Sequence, residues 1–203
     1  MEAIDEITAD LDWRETELGL LKVFFMRKDV SKKQHAVLAR AAWSLLYAHY
    51  EGFAKFALTL FFERASKAVE SCQPLPHRTR EFALIVELKR IRGLPNNEFL
   101  AAIEGFNQTL LGLKPQFPDV DTKSNLWPNV LEDLLTLADI TCPAVDKNRV
   151  LLKALVGKRN GIAHGEDIKA KYEDYLLQEQ AVYSVMYELA YAIDGRLKQA
   201  PFA

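Results

Sequence analysis

The sequence predicts an all-α protein, on three observations. Apolar residues recur at intervals of three and four along almost the whole chain. No alternating run bounded by an Asn-Gly or Asp-Gly turn occurs. The prolines fall between the periodic stretches or in a first helical turn, and Gly93 and Gly112 stand at predicted helix ends, where breakers belong.

A first helix is expected from about Ile4 to Lys28, and Ser31 with Gln34 three residues on reads as a capping box opening the second. That second helix is long and carries two stripes. Leu38, Ala42, Leu45, His49, Gly52, Phe56 and Leu60 face one way and Trp43, Tyr47, Tyr50, Ala54 and Phe61 another, as in a bundle helix covered on two sides. His49 reads as a hydrogen-bonded core residue, Gly52 as a point of close helix contact, and His35 and His77 as surface residues. Pro74 and Pro76 end the segment. An amphipathic helix from Arg78 to Arg92 stops at Gly93-Leu94-Pro95, and Asn96 or Asn97 caps the next, which runs to about Leu111 with Gly112 as its stop. Pro115 and Pro118 mark an irregular stretch to Asn125. Pro128 suits the first turn of a short helix ending near Leu137, and Pro143 separates it from a helix over Asp146 to Lys158. The last helix holds Tyr172, Leu176, Glu179, Val182, Met186, Leu189, Ile193 and Leu197 on one face. With no repeat, low-complexity tract or linker, residues 1–203 read as a single domain.

Composition narrows the class. A chain that is 49% hydrophobic, with 26 basic and 28 acidic side chains, is ordinary for a soluble globular protein. At this length folding buries roughly 70% of the unfolded surface, enough for a core without disulfides. The longest apolar run, Phe56 to Phe62 interrupted at Thr59, is far short of the ~18 residues of a membrane span. The acidic start lacks a secretory pattern, and the only cysteines are Cys72 and Cys142, so a cytoplasmic location and no membrane partner are expected. The net charge of −2 argues against nucleic-acid binding by the whole surface. Locally the balance differs: Lys147, Arg149, Lys153, Lys158 and Arg159 crowd one stretch, and Gly165 to Glu179 is acidic.

Most signatures of catalysis are missing. There is no GxxxxGK[ST] loop and no serine nucleophile elbow, and His35, His49, His77 and His164 have no metal-ligand spacing, so neither a metal nor a cofactor is expected. What remains is Val156 to Glu166. Its three glycines, Gly157, Gly161 and Gly165, would each cost about 1 kcal/mol in a helix interior, which argues for a purpose other than propensity. In a regular helix Arg159 and His164 lie about 140° apart. A kink, or the same segment of a second subunit, is needed to aim both at one point.

Arg159-Asn160-x-x-x-His164, with Ile162-Ala163-His164-Gly165-Glu166 around it, resembles the signature of the HEPN superfamily, an Arg followed after four to six residues by His. The long helix with Leu45 to Phe53, the Ser124-Asn125-Leu126 approach to the short helix, and the final helix with Tyr172 are similar to the prokaryotic HEPN-like nucleases of toxin and anti-phage systems. The resemblance implies an up-and-down bundle of four to five core helices with additional short ones. It also implies a homodimer whose two motifs line a shared cleft, RNA as substrate of a metal-independent endoribonuclease, and an inhibitory antitoxin or regulatory partner protein. His164 is then the general base or acid for 2′-hydroxyl attack, Arg159 the holder of the phosphate oxygens, and Asn160 the residue that orients the phosphate or the motif backbone. Lys147, Arg149, Lys153 and Lys158 would bring the RNA backbone to them. Glu51 reads as support for Arg159 or as the i+4 partner of Lys55. Glu166 is a supporting residue standing where a sub-branch silenced by nucleotidylation has the accepting Tyr. The competing classes are a non-catalytic module binding a nucleotide or partner protein, and a structural bundle in which Arg159 and His164 cap a helix end and the glycines go unexplained.

Overall fold

The Ser31 capping box forms as its spacing predicts: the Ser31 hydroxyl accepts from the Gln34 N–H, and the Gln34 side chain accepts from the Ser31 N–H at 2.8 Å. The computed structural model describes residues 2–25, 27, 29–169 and 172–203, and among these the structure is helical, without a strand. The predicted helix end at Lys28 lies outside the described residues.

Helix α1 (Ala3–Phe25) runs antiparallel to α2 (Lys32–Ala68), pairing Glu6 with Arg64 and Arg14 with His49. After α2 come α3 (His77–Ala83), α4 (Ile85–Arg92), α5 (Asn96–Glu104), α6 (Phe106–Thr109), α7 (Pro128–Ala138), α8 (Pro143–Lys147), α9 (Arg149–Ala163) and α10 (Tyr172–Leu197). α10 packs antiparallel to α1, with Tyr172 on Phe25 at one end and Tyr187 on Glu15 further along. α9 returns antiparallel to both α2 and α10, so α1, α2, α9 and α10 form an up-and-down bundle with α7 beside α2 and α9. α2 is buried on two sides as expected: Ala42, His49 and Leu60 belong to one stripe and Trp43, Tyr47, Tyr50 and Phe61 to the other.

Several boundaries need correcting. The helix expected from Arg78 to Arg92 is two, interrupted at Leu84 (φ −98°, ψ 5°), which turns inward and is buried with Phe82. Neither Pro nor Gly marks that break. The next helix is also two pieces, parted at Gly105. Pro95 holds its N-cap position, so Asn96 and Asn97 lie inside the first turn without capping it, and the last piece ends at Thr109, before Gly112. Asp146 and Lys147 belong to α8, cut off by Asn148 (φ −104°, ψ 11°), whose amide donates back to the Ala144 carbonyl at 2.9 Å. α9 continues beyond Lys158 to Ala163.

His49 is the core residue its stripe predicted, 2% exposed. Arg14 grips both carboxylate oxygens of Asp10 at 2.7 and 3.2 Å, and its Nη1 lies 3.4 Å from His49 Nδ1. Glu17 approaches His49 Nε2 at 2.7 Å. Gly52 makes room for this: a Cβ there would sit 3.0 Å from Arg14 Nη1. Burial holds the imidazole below its ordinary pKa, with the Arg14 charge acting the same way and Glu17 opposing. The unfolded chain therefore takes up a proton that the folded His49 resists. Stability is expected to fall as pH drops below about 6.5, with a slope of at most about 1.4 kcal/mol per pH unit. Urea midpoints between pH 7.5 and 5.5 check this, and a His49→Asn variant that keeps the full slope would contradict it.

Candidate active site

Four residues of α2 spaced by three or four, Arg40, Trp43, Tyr47 and Glu51, share the face turned to α9 and its C-terminal loop. Lys158 sits on this face with its Nζ 4.1 Å from the Trp43 ring centre and 3.6 Å from the Asp174 carboxylate. The guanidinium of Arg159 lies over Tyr47, 4.2 Å from the ring centre, a cation–π contact at a half-buried site. Arg159 Nη1 donates to Asn125 Oδ1 at 2.8 Å and to Asn160 Oδ1 at 3.0 Å. Both hydrogens of that nitrogen are thereby used. Nε and Nη2 have no partner among the described residues and present a side-on fork.

The Tyr47 hydroxyl accepts the Leu126 N–H at 2.9 Å. Burial pushes its pKa up to about 12, with Glu51 adding to the rise while the Leu126 N–H and Arg159 pull it down, so the phenol is neutral at physiological pH. Glu51 forms neither of the ion pairs considered for it, with Arg159 or with Lys55, among the described residues. Its charge adds instead to the rise in the Tyr47 pKa.

α9 is unbroken through Ala163, so no interruption of the helix turns Arg159 and His164 toward one point. His164 is the C-cap, exposed, and its imidazole makes no hydrogen bond among the described residues. Beyond it the Gly165 N–H donates to the Ile162 carbonyl at 3.1 Å and the Glu166 N–H to the Gly161 carbonyl at 2.9 Å. With Gly165 at φ +80° this is a Schellman stop. Gly161 lets the loop fold back, since a Cβ there would lie 2.8 Å from a Glu166 carboxylate oxygen and 2.9 Å from Ile168. Arg40 pins the loop by donating to the Glu166 carbonyl at 2.7 Å. The helix end itself thus explains Gly161 and Gly165, whose purpose is, as expected, something other than helix propensity. Gly157 is exposed, a Cβ there would meet nothing within 4 Å beyond the helix itself, and the residue retains no structural explanation.

The outer face of α9 carries Arg149, Lys153, Gly157, Asn160 and His164. Lys147 and Lys153 are exposed without an acidic partner among the described residues. Arg149 is engaged by Glu132 and by Asp146 at 3.0 Å, and Lys158 by Asp174. Arg159, Asn160 and Lys158 are therefore brought together with Tyr47, Trp43 and Asn125, but Arg159 and His164 leave one helix on different sides. Asn125 had no assigned role in the sequence, and its contact spans 34 residues. Arg40 was equally silent, although its three-four spacing with Trp43, Tyr47 and Glu51 is visible. Among the described residues no three His, Cys, Asp or Glu side chains stand close enough to hold a metal ion, and no helix is long and apolar enough to cross a membrane.

An all-α up-and-down bundle whose second-last helix ends in Arg-Asn-x-x-x-His has the architecture of a HEPN domain. The chain belongs to the HEPN_MAE_28990-like HEPN family, which it matches over residues 3–202, and the HEPN domain is known for ribonuclease activity. No curated protein and no solved structure matches it.

Proposed function

We propose that the protein is a metal-independent endoribonuclease and the effector of a toxin–antitoxin or anti-phage system. The observation that carries this reading is the Arg159 guanidinium, held by Asn125, Asn160 and the Tyr47 ring with one fork of donors free, five residues before an unbonded imidazole. His164 takes the proton of a ribose 2′-hydroxyl, and the oxygen bonds to the adjacent phosphorus as the bond to the 5′-oxygen breaks. That leaving oxygen receives a proton from an imidazolium. The products are a 2′,3′-cyclic phosphate and a 5′-hydroxyl. Arg159 carries the charge that the phosphoryl oxygens gain on the way. Lys147 and Lys153 draw in the RNA backbone, with Arg149 and Lys158 contributing once their acidic partners exchange for phosphate. Because α9 is unbroken, the active species is a homodimer in which the imidazole serving each Arg159 comes from the other copy. An inhibitory partner covers this cleft at rest.

Cleavage is expected to persist in chelator, to fail when the nucleotide 5′ of the cut carries a 2′-deoxy sugar, and to leave the cyclic phosphate. A 3′-hydroxyl product, or activity that vanishes with chelator and returns with magnesium, contradicts the mechanism. The same free edge of Arg159 also favours a second reading, a module that holds a nucleotide phosphate without cutting it. Binding of RNA or ATP with no cleavage product, unchanged in His164→Ala, selects that reading.

A further inference from the structure

Two consecutive residues that are not glycine, Lys123 (φ 52°) and Ser124 (φ 67°), adopt left-handed backbone immediately before Asn125. Such conformations are sparsely populated for residues with a side chain and persist where the surroundings over-determine them, often at functional sites. The restraints here are explicit. The Lys123 N–H donates to Asp121 Oδ1 at 2.8 Å, the Asn125 N–H to the Thr122 carbonyl at 3.1 Å, and Leu126 is fully buried. A turn that merely started α7 would need no link to the Arg159 guanidinium. This one has two: the Asn125 carboxamide ends on Arg159 Nη1, and the next N–H, that of Leu126, ends on the hydroxyl of the tyrosine whose ring lies under the same guanidinium.

We propose that Asn125 is a positioning residue, held by the strained Lys123–Ser124 turn so that it and Asn160 occupy both hydrogens of Arg159 Nη1 and only the Nε/Nη2 edge is offered to a phosphate. Tyr47 couples the two halves by supporting the guanidinium with its ring and the turn with its hydroxyl. For its kinetic consequence the proposal rests on the ribonuclease reading. Its geometric content does not.

The test therefore has two arms, applied to the wild type, Asn125→Ala and Asn125→Asp. In arginine side-chain ¹⁵N spectra, with the Arg159 signals identified by their loss in Arg159→Lys, the wild type is expected to show separate, slowly exchanging Nη1 hydrogens. Asn125→Ala should merge them with the other Nη signals, and Asn125→Asp, which keeps the acceptor, should restore them. In RNA cleavage Asn125→Ala is expected to lower kcat by about 10- to 100-fold, the scale of a displacement of about 1 Å, with KM nearly unchanged. Asn125→Asp should recover most of that loss. Nη1 signals that stay separate in Asn125→Ala, or a wild-type kcat in that variant, overturn the proposal. If Asn125→Ala fails to fold, Asn125→Ser, too short to reach Arg159, carries the same comparison. If the wild type cuts no RNA, the ribonuclease reading fails, and the spectra alone decide the positioning role.

Discussion

Replacing His164 with alanine is expected to slow RNA cleavage by about 10²- to 10⁴-fold, the usual cost of losing a positioned acid or base, while leaving the thermal unfolding midpoint where it is in the wild type. The second half follows from the helix end. His164 contributes its backbone to the Schellman stop, donating its N–H to the Asn160 carbonyl at 2.9 Å, and its φ and ψ of −86° and 6° suit any residue. Its side chain is exposed and bonded to nothing among the described residues, so the folded state loses nothing with it. Arg159→Ala should cost about 10²- to 10³-fold in rate, but it also strips the cation from the Tyr47 ring and leaves Asn125 without its partner, at about 1–2 kcal/mol of stability. His164 is therefore the sharper probe. Rates on an end-labelled RNA beside a melting curve make the measurement, and a wild-type rate in His164→Ala removes that residue from the chemistry.

Much of the fold was legible because its signals are local. A capping box is written in four residues, and the double stripe of α2 in two turns of helix. The breaks at Leu84 and Asn148 were not legible, since neither carries Pro or Gly and each is one residue tipped toward the bridge region by what its side chain finds to pack on or bond to. The end of α9 was misplaced because helix propensity counts glycine as a cost, while Gly161 gains the contact with Ile168 that a larger residue would block. The same division runs through the candidate site. Arg159, Asn160 and His164 stand out because their spacing is short. Asn125 reaches Arg159 from a different turn, shaped by left-handed residues of types that do not advertise such backbone. Glu51 reads from its spacing as a partner of Arg159 or of Lys55, and among the described residues it pairs with neither, its charge instead raising the Tyr47 pKa.

Equal amounts of Arg159→Ala and His164→Ala protein, each inactive alone, are expected on mixing to regain about a quarter of the wild-type rate. The unbroken α9 turns about 140° between the two residues, so that Arg159 faces α2 and the turn at Asn125 while His164 lies on the outer face. In the proposed homodimer a two-fold axis beside α9 sets each outer face, with Lys153, Gly157, Asn160 and His164, against its symmetry mate, where exposed Gly157 adds no side-chain bulk. In a mixed dimer one site combines both substitutions, and the other combines an intact Arg159 with an intact His164. Random exchange makes about half the dimers mixed, each with one working site of two, which gives the quarter. Purified mixed dimers, isolated through two different tags, should reach about half. If each site is instead built within one copy, every dimer in the mixture is dead and the rate stays at that of the parents. Light scattering on the same samples supplies the independent check, since a species that stays monomeric at nanomolar concentration and still cuts RNA contradicts the composite site even if both single variants are inactive.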